Sequence, residues 1–382
     1  MVGAFAFDFT NGFHDTANAV ATSIATGALK PRSAVLLSAA LNFAGAFISI
    51  SVAATIAKGI VNPAVLAGEE GLVLVLAALI GATLWNLITW YLTIPSSSSH
   101  ALIGGVIGAT LVASGSAAVN FHKLLQSVIV PALLSPFICG IVALLAAFAA
   151  YRLIRLLRSS DAAKGYRLGQ IGSASLLSLA HGTNDAQKTM GVISLALIAH
   201  GDISTAHFYV PLWVKLGCAL SIALGTAAGG WRIINTMGNR LTTLEPPQGF
   251  AAESSSAAVI LASSYYGYPL STTQVVSGGV TGSGLGRRLA SVHWEVVGQM
   301  VTAWIFTIPS AGLLAAAAWE ISGAFGNSAA GAIVIALMAI VGAIVLSGLA
   351  RRSNISPDEL DRTTVALDIE PPQLRPPAPL LR

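Results

Sequence analysis

The sequence predicts an all-α polytopic membrane protein built from two inverted-topology repeats with broken or re-entrant helices, about 11 membrane segments in all. Three observations lead there. Hydrophobic residues make up 54% of the 382 and charged residues only 9%, more apolar surface than a soluble domain of this length can hide, so lipid must solvate most of it. Apolar runs near the roughly 20 residues needed to cross a bilayer recur along the chain. Finally, two short polar motifs occur once in each half. Asn11-Gly-Phe-His-Asp15-Thr-Ala-Asn18 is matched by His181-Gly-Thr-Asn184-Asp185-Ala-Gln-Lys188, and Pro95-Ser-Ser-Ser-Ser-His100 by Pro269-Leu-Ser-Thr-Thr-Gln274.

In chain order, the stretch 3–28 runs straight into Asp8 and Asn11, with neither the basic start nor the small-residue cleavage site of a secretory signal, and reads as a broken helix. Apolar spans follow at 33–58 and 72–94. The stretch 96–116 follows Pro95 and reads as a broken or re-entrant helix, and a span at 128–151 closes the first repeat, 1–151. A basic cytoplasmic connector, 152–168, leads to the second repeat, 169–319. That repeat holds broken stretches at 170–198 and 251–286 and spans at 208–229 and 297–319. An extra transmembrane helix occupies 320–350, its apolar run lying at 330–350. The tail 351–382, with its Pro-Pro and Arg-Pro-Pro stretches, reads as a disordered cytoplasmic extension.

The net charge of +4 does not point to nucleic acid, because the basic residues fall in short loops between spans. Lys30 and Arg32, Arg152 to Arg167, Arg232 and Arg240, Arg287 and Arg288, and Arg351 and Arg352 mark cytoplasmic ends under the positive-inside rule. Glu69 and Glu70, Asp202 and Glu320 mark outward loops. The loop after the first motif is basic and the loop after its counterpart, 199–208, is not, so equivalent loops face opposite sides. The expected location is the cell's inner (plasma) membrane, multi-pass, with the bilayer as a partner. Cys139 and Cys218 are far apart without metal-ligand spacing, and are expected to pack in the core.

Aligned, the first motif pair sets Asp15 opposite Asp185, His14 opposite Asn184 and Asn18 opposite Lys188. A carboxylate inside a membrane segment costs roughly 2.5–3.5 kcal/mol on insertion scales, so two at equivalent positions point to function. The plainer alternative is that each caps a half-helix or pairs with a nearby base. Asn11, Asp15, Asn18, Asn184 and Asp185 are the candidates for a coupling cation or proton, with Asp15 and Asp185 as candidate ligands should a metal bind. In the second pair, Ser97, Ser98 and Ser99 align with Ser271, Thr272 and Thr273 after a helix-ending proline. Two helix starts with three hydroxyls each, converging from opposite sides, would hold a tetrahedral oxyanion. Back-bonding of the hydroxyls to their own helices is the alternative. His100 is either an anion donor or an ordinary interhelical hydrogen-bond partner.

These four motifs, Gly12-Phe-His-Asp-Thr-Ala-Asn-Ala19 and His181-Gly-Thr-Asn-Asp185 with Ser-Ser-Ser-His and Leu-Ser-Thr-Thr-Gln, resemble the inorganic phosphate transporter (PiT) family over roughly residues 8 to 350. The first motif with Asp185-Ala-Gln-Lys188 is most similar to the bacterial low-affinity branch. That resemblance implies uptake of inorganic phosphate with protons, often as a neutral metal-phosphate complex, and no enzymatic activity or cofactor. Sodium-coupled relatives form the other branch. Family members carry a fuller first helix before the motif, so either a span precedes Met1 or the first helix is short. The sodium-coupled pattern has Asn where this chain has Lys188, and a tethered ammonium there would act as fixed positive charge in place of one bound sodium. Coupling therefore falls to H⁺, with Na⁺ or a divalent metal as alternatives. Phosphate adds −1 to −2 to a site already holding two carboxylates, and cations must travel with it. A homodimer is one expectation for the assembly. A sulfate or other oxyanion permease on the same fold is the nearest rival, a channel a more distant one, and an intramembrane enzyme the weakest, since neither a zinc helix nor a nucleophile elbow is present.

Overall fold

The computed structural model describes residues 1–62, 68–157, 162–286, 292–350 and 356–361. Its regular structure is helical: α1 (Val2–Ala25), α2 (Pro31–Gly45), α3 (Ser51–Gly59), α4 (Gly68–Tyr91), α5 (Ser98–Ser114), α6 (Phe121–Leu124), α7 (Val130–Leu157), α8 (Ala162–His200), α9 (Leu212–Ala228), α10 (Trp231–Asn235), α11 (Pro246–Tyr265), α12 (Thr272–Leu285), α13 (Trp294–Gly323) and α14 (Ala329–Ala350). Among the described residues, four helical segments are long and apolar enough to cross a membrane: Gly68–Tyr91, Phe121–Leu156, Trp294–Gly323 and Ala329–Ala350. A fifth forms if Leu212–Ala228 and Trp231–Arg240 are one span, bent by 63°. The bend falls at Gly229, whose φ of 73° is a backbone conformation glycine adopts without strain.

α14 and α7 turn rows of large apolar side chains outward, among them Leu337, Ile340 and Ile344 on one and Leu133, Phe137 and Ile141 on the other. That is the surface lipid would cover. The interior is the reverse. α1 and α8 carry a dense set of buried polar groups, including Asn11, Asp15 and Asn18 on one and His181, Asp185 and Lys188 on the other.

The packing crosses between the two halves. α5 lies on α4 and α13, while α12 lies on α11 and α7; α1 lies on α9, and α8 on α2. Small residues make these crossings close. A Cβ on Gly108 would strike Gly312 of α13, and one on Gly282 would strike Gly140 of α7. The glycines inside the first motif pair do the same: a Cβ on Gly12 would meet the Ile222 carbonyl of α9, and one on Gly182 the Asn42 carbonyl of α2.

Three sequence expectations are corrected here. The stretches 3–28 and 170–198 are not broken: α1 and the 39-residue α8 run continuously through their motifs. Their polar side chains find partners on neighbouring helices or on carbonyls one turn back, as Thr16 does on Gly12 and Gln187 on Thr183, so no backbone group has to be freed. Conversely, the run 33–58 is not one span but α2 and α3 with a turn between. Gln187 of α8 explains the break, its Oε1 accepting from the Val52 N–H at 2.9 Å and so satisfying an orphan donor at the start of α3. The connector 152–168 is helical at both ends, with 158–161 outside the described residues. Of the tail, 356–361 is ordered, with Asp358 3.4 Å from Arg32. The expectation of disorder for the rest lies outside the described residues, as do Arg287, Arg288, Arg351 and Arg352. The breaks expected at the proline motifs are present, at Pro95 before α5 and between α11 and α12 at Pro269.

Candidate functional site

α5 and α12 begin where the proline motifs end, and each start is capped by a motif hydroxyl. Ser97 accepts from the His100 N–H at 3.2 Å and Ser271 from the Gln274 N–H at 3.3 Å. Ser97 and Ser271 thus accept from their own helices, and each keeps its O–H to donate. The other four motif hydroxyls face inward. Ser98 donates to Asp15 Oδ1 at 3.1 Å, and Thr273 reaches the same oxygen at 3.5 Å. Thr272 donates to Asp185 Oδ2 at 3.3 Å, and Ser99 to the Leu270 carbonyl at 3.3 Å. Asn18 binds both α12 hydroxyls, at 3.3 Å to Thr272 and 2.9 Å to Thr273.

Asp15 and Asp185, the aligned pair, thus meet between two converging helix starts. Each has a histidine beside it: His14 Nδ1 lies 2.6 Å from Asp15, and His181 Nε2 lies at ion-pair distance, 3.3 Å, from Asp185. Lys188 completes the cluster. Its ammonium is 2.6 Å from Asp185 Oδ1 and 2.8 Å from the Leu270 carbonyl, and it also donates to Ser99. All of these side chains are buried. With neutral histidines the cluster carries two negative charges against one positive, a deficit that a bound oxyanion deepens.

Ligand atoms of Asp15, His181 and Asp185 all lie within 4.8 Å of one another, the one such grouping among the described residues. Two carboxylates and an imidazole are a donor set that suits a divalent cation, although the Lys188 ammonium already occupies one side of Asp185.

Two predicted residues stand apart. Asn184 turns to α11, donating to Ser264 at 2.8 Å, with its Oδ1 unpartnered. Asn11 lies beside Asp8, one turn earlier on α1, with its own Oδ1 unpartnered among the described residues. His100 is buried with Nε2 unpartnered among the described residues. Sequence reasoning gave no role to three buried ionisable groups: His181, Asp8 and Glu253. Asp8 receives the Thr189 hydroxyl at 2.9 Å. Glu253 receives Thr22 at 2.6 Å, Ser173 at 2.6 Å and Gln170 at 3.1 Å. A signal existed for Asp8, which precedes Asp15 by seven residues and so shares its helix face. His181 stands in the motif itself.

Paired carboxylates and hydroxyls buried at the centre of a helical membrane protein are the setting of a small-ion carrier. The profile of the Phosphate transporter family matches residues 11–167 and again 156–315, so the chain belongs to that family. It is 57% identical over 316 residues to a Mycobacterium bovis protein named "Probable low-affinity inorganic phosphate transporter", covering 83% of this chain and 75% of that one. A Bacillus subtilis protein of the same name is 44% identical over 325 residues, covering 84% of this chain and 95% of its own. Among solved structures, one titled "The sodium-dependent phosphate transporter" superposes with a TM-score of 0.75 at 26% identity, covering 84% of this chain and 97% of that one.

Proposed function

We propose that this chain imports inorganic phosphate across the inner (plasma) membrane by alternating access, in symport with a cation, and that the cation is a proton. The observation that carries this reading is the Lys188 ammonium, which joins Asp185 of α8 to Ser99 of α5. Fixed there, one positive charge travels with the protein and not with the substrate. The remaining deficit is one charge before phosphate binds; protonation of one carboxylate would close it, and a divalent metal bound to phosphate would offset the charge that phosphate itself adds.

Phosphate selection follows from the same groups. Ser98, Ser99, Thr272, Thr273 and Asn18 supply donors to anionic oxygens, while Asp15 and Asp185 can accept from a protonated phosphate oxygen. Sulfate has no such proton to give, and two carboxylates then repel it. The crossed packing of α5 on α13 and α12 on α7 supports two repeats of inverted orientation that interlock around the site, with the motif pairs at equivalent places. The solved relative's title favours sodium as the second reading. Lys188 weighs against it, since its ammonium already sits on the carboxylate a sodium ion would need.

Counterflow of radiolabelled phosphate in proteoliposomes, with sulfate in excess and with or without Mg²⁺, tests the substrate. Phosphate exchange that resists sulfate supports the reading, and full competition by sulfate overturns it. Stimulation by Mg²⁺ identifies metal-phosphate as the species carried.

A further inference from the structure

Beyond the central cluster, α1 holds a second buried carboxylate in an unusual setting. Asp8 is 0% exposed and Asn11 is 1% exposed, and each keeps one oxygen, Asp8 Oδ2 and Asn11 Oδ1, without a partner among the described residues. Asp8 Oδ1 has the Thr189 hydroxyl. The titratable groups that act on Asp8 are Cys218 of α9, a weak donor, and Asp185 of α8, which repels it. α4 carries Glu69 and Glu70 at its exposed start and Tyr91 at its far end, α9 carries the part-exposed Lys215 one turn before Cys218, the Met1 ammonium lies about two turns before Asp8, and the Lys188 ammonium is spent on Asp185. None of these cations forms an ion pair with Asp8 among the described residues. An ionised, half-bonded carboxylate in such a place is costly, and a single O–H on Oδ2 removes both the charge and the unmet acceptor.

Position gives that proton a purpose. Asp8 and Asp15 are seven residues apart on one face, about 10 Å along the helix axis, and Thr22, which holds Glu253, is seven further on. With Lys30 marking the cytoplasmic end, Asp8 lies on the outer side of the central pair. Ala4, one turn before Asp8, lines an open cavity of about 180 Å³ whose other walls include Met1, Leu72, Val75, Val192 and Ile193.

We propose that Asp8, positioned by Thr189 and Asn11, is a proton station on the outer side of the phosphate site, loaded from outside before the phosphate-bearing cluster turns inward. A proton from external water forms the Oδ2–H bond, and that bond breaks to release it to cytoplasmic water after the turn. This assignment rests on the proton-coupled reading given above.

Two measurements on full-length protein test it separately from that reading. In proteoliposomes, Asp8→Asn, which mimics the permanently protonated side chain, is expected to lose accumulation driven by an imposed pH gradient far more than phosphate–phosphate exchange at equal pH. Retention of gradient-driven accumulation at the wild-type proton-to-phosphate ratio overturns the assignment. Infrared difference spectra of the wild type, with phosphate minus without, are expected to show a protonated-carboxyl stretch that disappears in Asp8→Asn and shifts in Asp8→Glu. Absence of that band overturns the assignment even if Asp8→Asn neither exchanges nor folds. A wild-type protein indifferent to the pH gradient refutes proton coupling itself, and the infrared band still decides whether Asp8 carries a proton.

Discussion

Lys188 Nζ lies 2.6 Å from Asp185 Oδ1, one turn earlier on α8, and both side chains are buried. The pair explains why a carboxylate is tolerated at the centre of the bundle. It also makes each partner dependent on the other.

Removing one member leaves a buried charge uncompensated. Lys188→Met and Asp185→Asn should each lower stability by about 3–5 kcal/mol, whereas the double substitution should cost less than their sum. Thermal unfolding in detergent checks this through a double-mutant cycle. Additive losses would mean the pair is not coupled. Transport should be absent in every variant that lacks Asp185.

Lys188→Asn removes the tethered charge while keeping a polar side chain. Uptake by this variant should acquire dependence on external sodium, because a mobile cation must now stand beside Asp185. Flux measured across a range of sodium concentrations checks it. A variant whose cation dependence matches the wild type contradicts the role given to the ammonium.

The six motif hydroxyls should separate into two groups. Ser97→Ala and Ser271→Ala remove helix caps, and the loss should fall on stability, about 0.5–2 kcal/mol each. Ser98→Ala and Thr272→Ala remove donors aimed at the carboxylates, and the loss should fall on phosphate affinity, about tenfold or more for a hydrogen bond to a charged group. Unfolding midpoints and half-saturation constants measured side by side make the comparison.

How much of this was legible beforehand differs between the two motif pairs. Pro95 and Pro269 announced helix ends in the sequence, since proline has no N–H to donate and disfavours a helical residue before it, and helices do begin just after them. Asp15 and Asp185 were legible through duplication. The continuity of α1 and α8 was not, because a polar stripe on an intact helix and a break in that helix give the same run of interrupted hydrophobicity. Only the cross-helix partners, such as Gln187 on Val52 across 135 residues, tell them apart. Glu253 was hidden for the same reason, as its partner Thr22 is 231 positions away. Ser97 and Ser99 look alike in sequence, yet one caps a helix and the other meets Lys188.

The glycines of the first motif pair should be intolerant of even one methyl group. Gly12→Ala and Gly182→Ala each force apart a crossing between the halves and should cost about 1–3 kcal/mol. Gly165→Ala, where nothing lies within 4 Å, serves as the control. Equal stability of all three variants would show that the crossings are looser than the packing implies.

The most direct test of cation-coupled import is uptake of radiolabelled phosphate into proteoliposomes under an imposed pH gradient and, separately, an imposed sodium gradient. Accumulation above equilibrium with the pH gradient alone is the predicted result. Accumulation driven by sodium and indifferent to pH would contradict the role assigned to Lys188, and equilibration without accumulation under either gradient would contradict symport altogether.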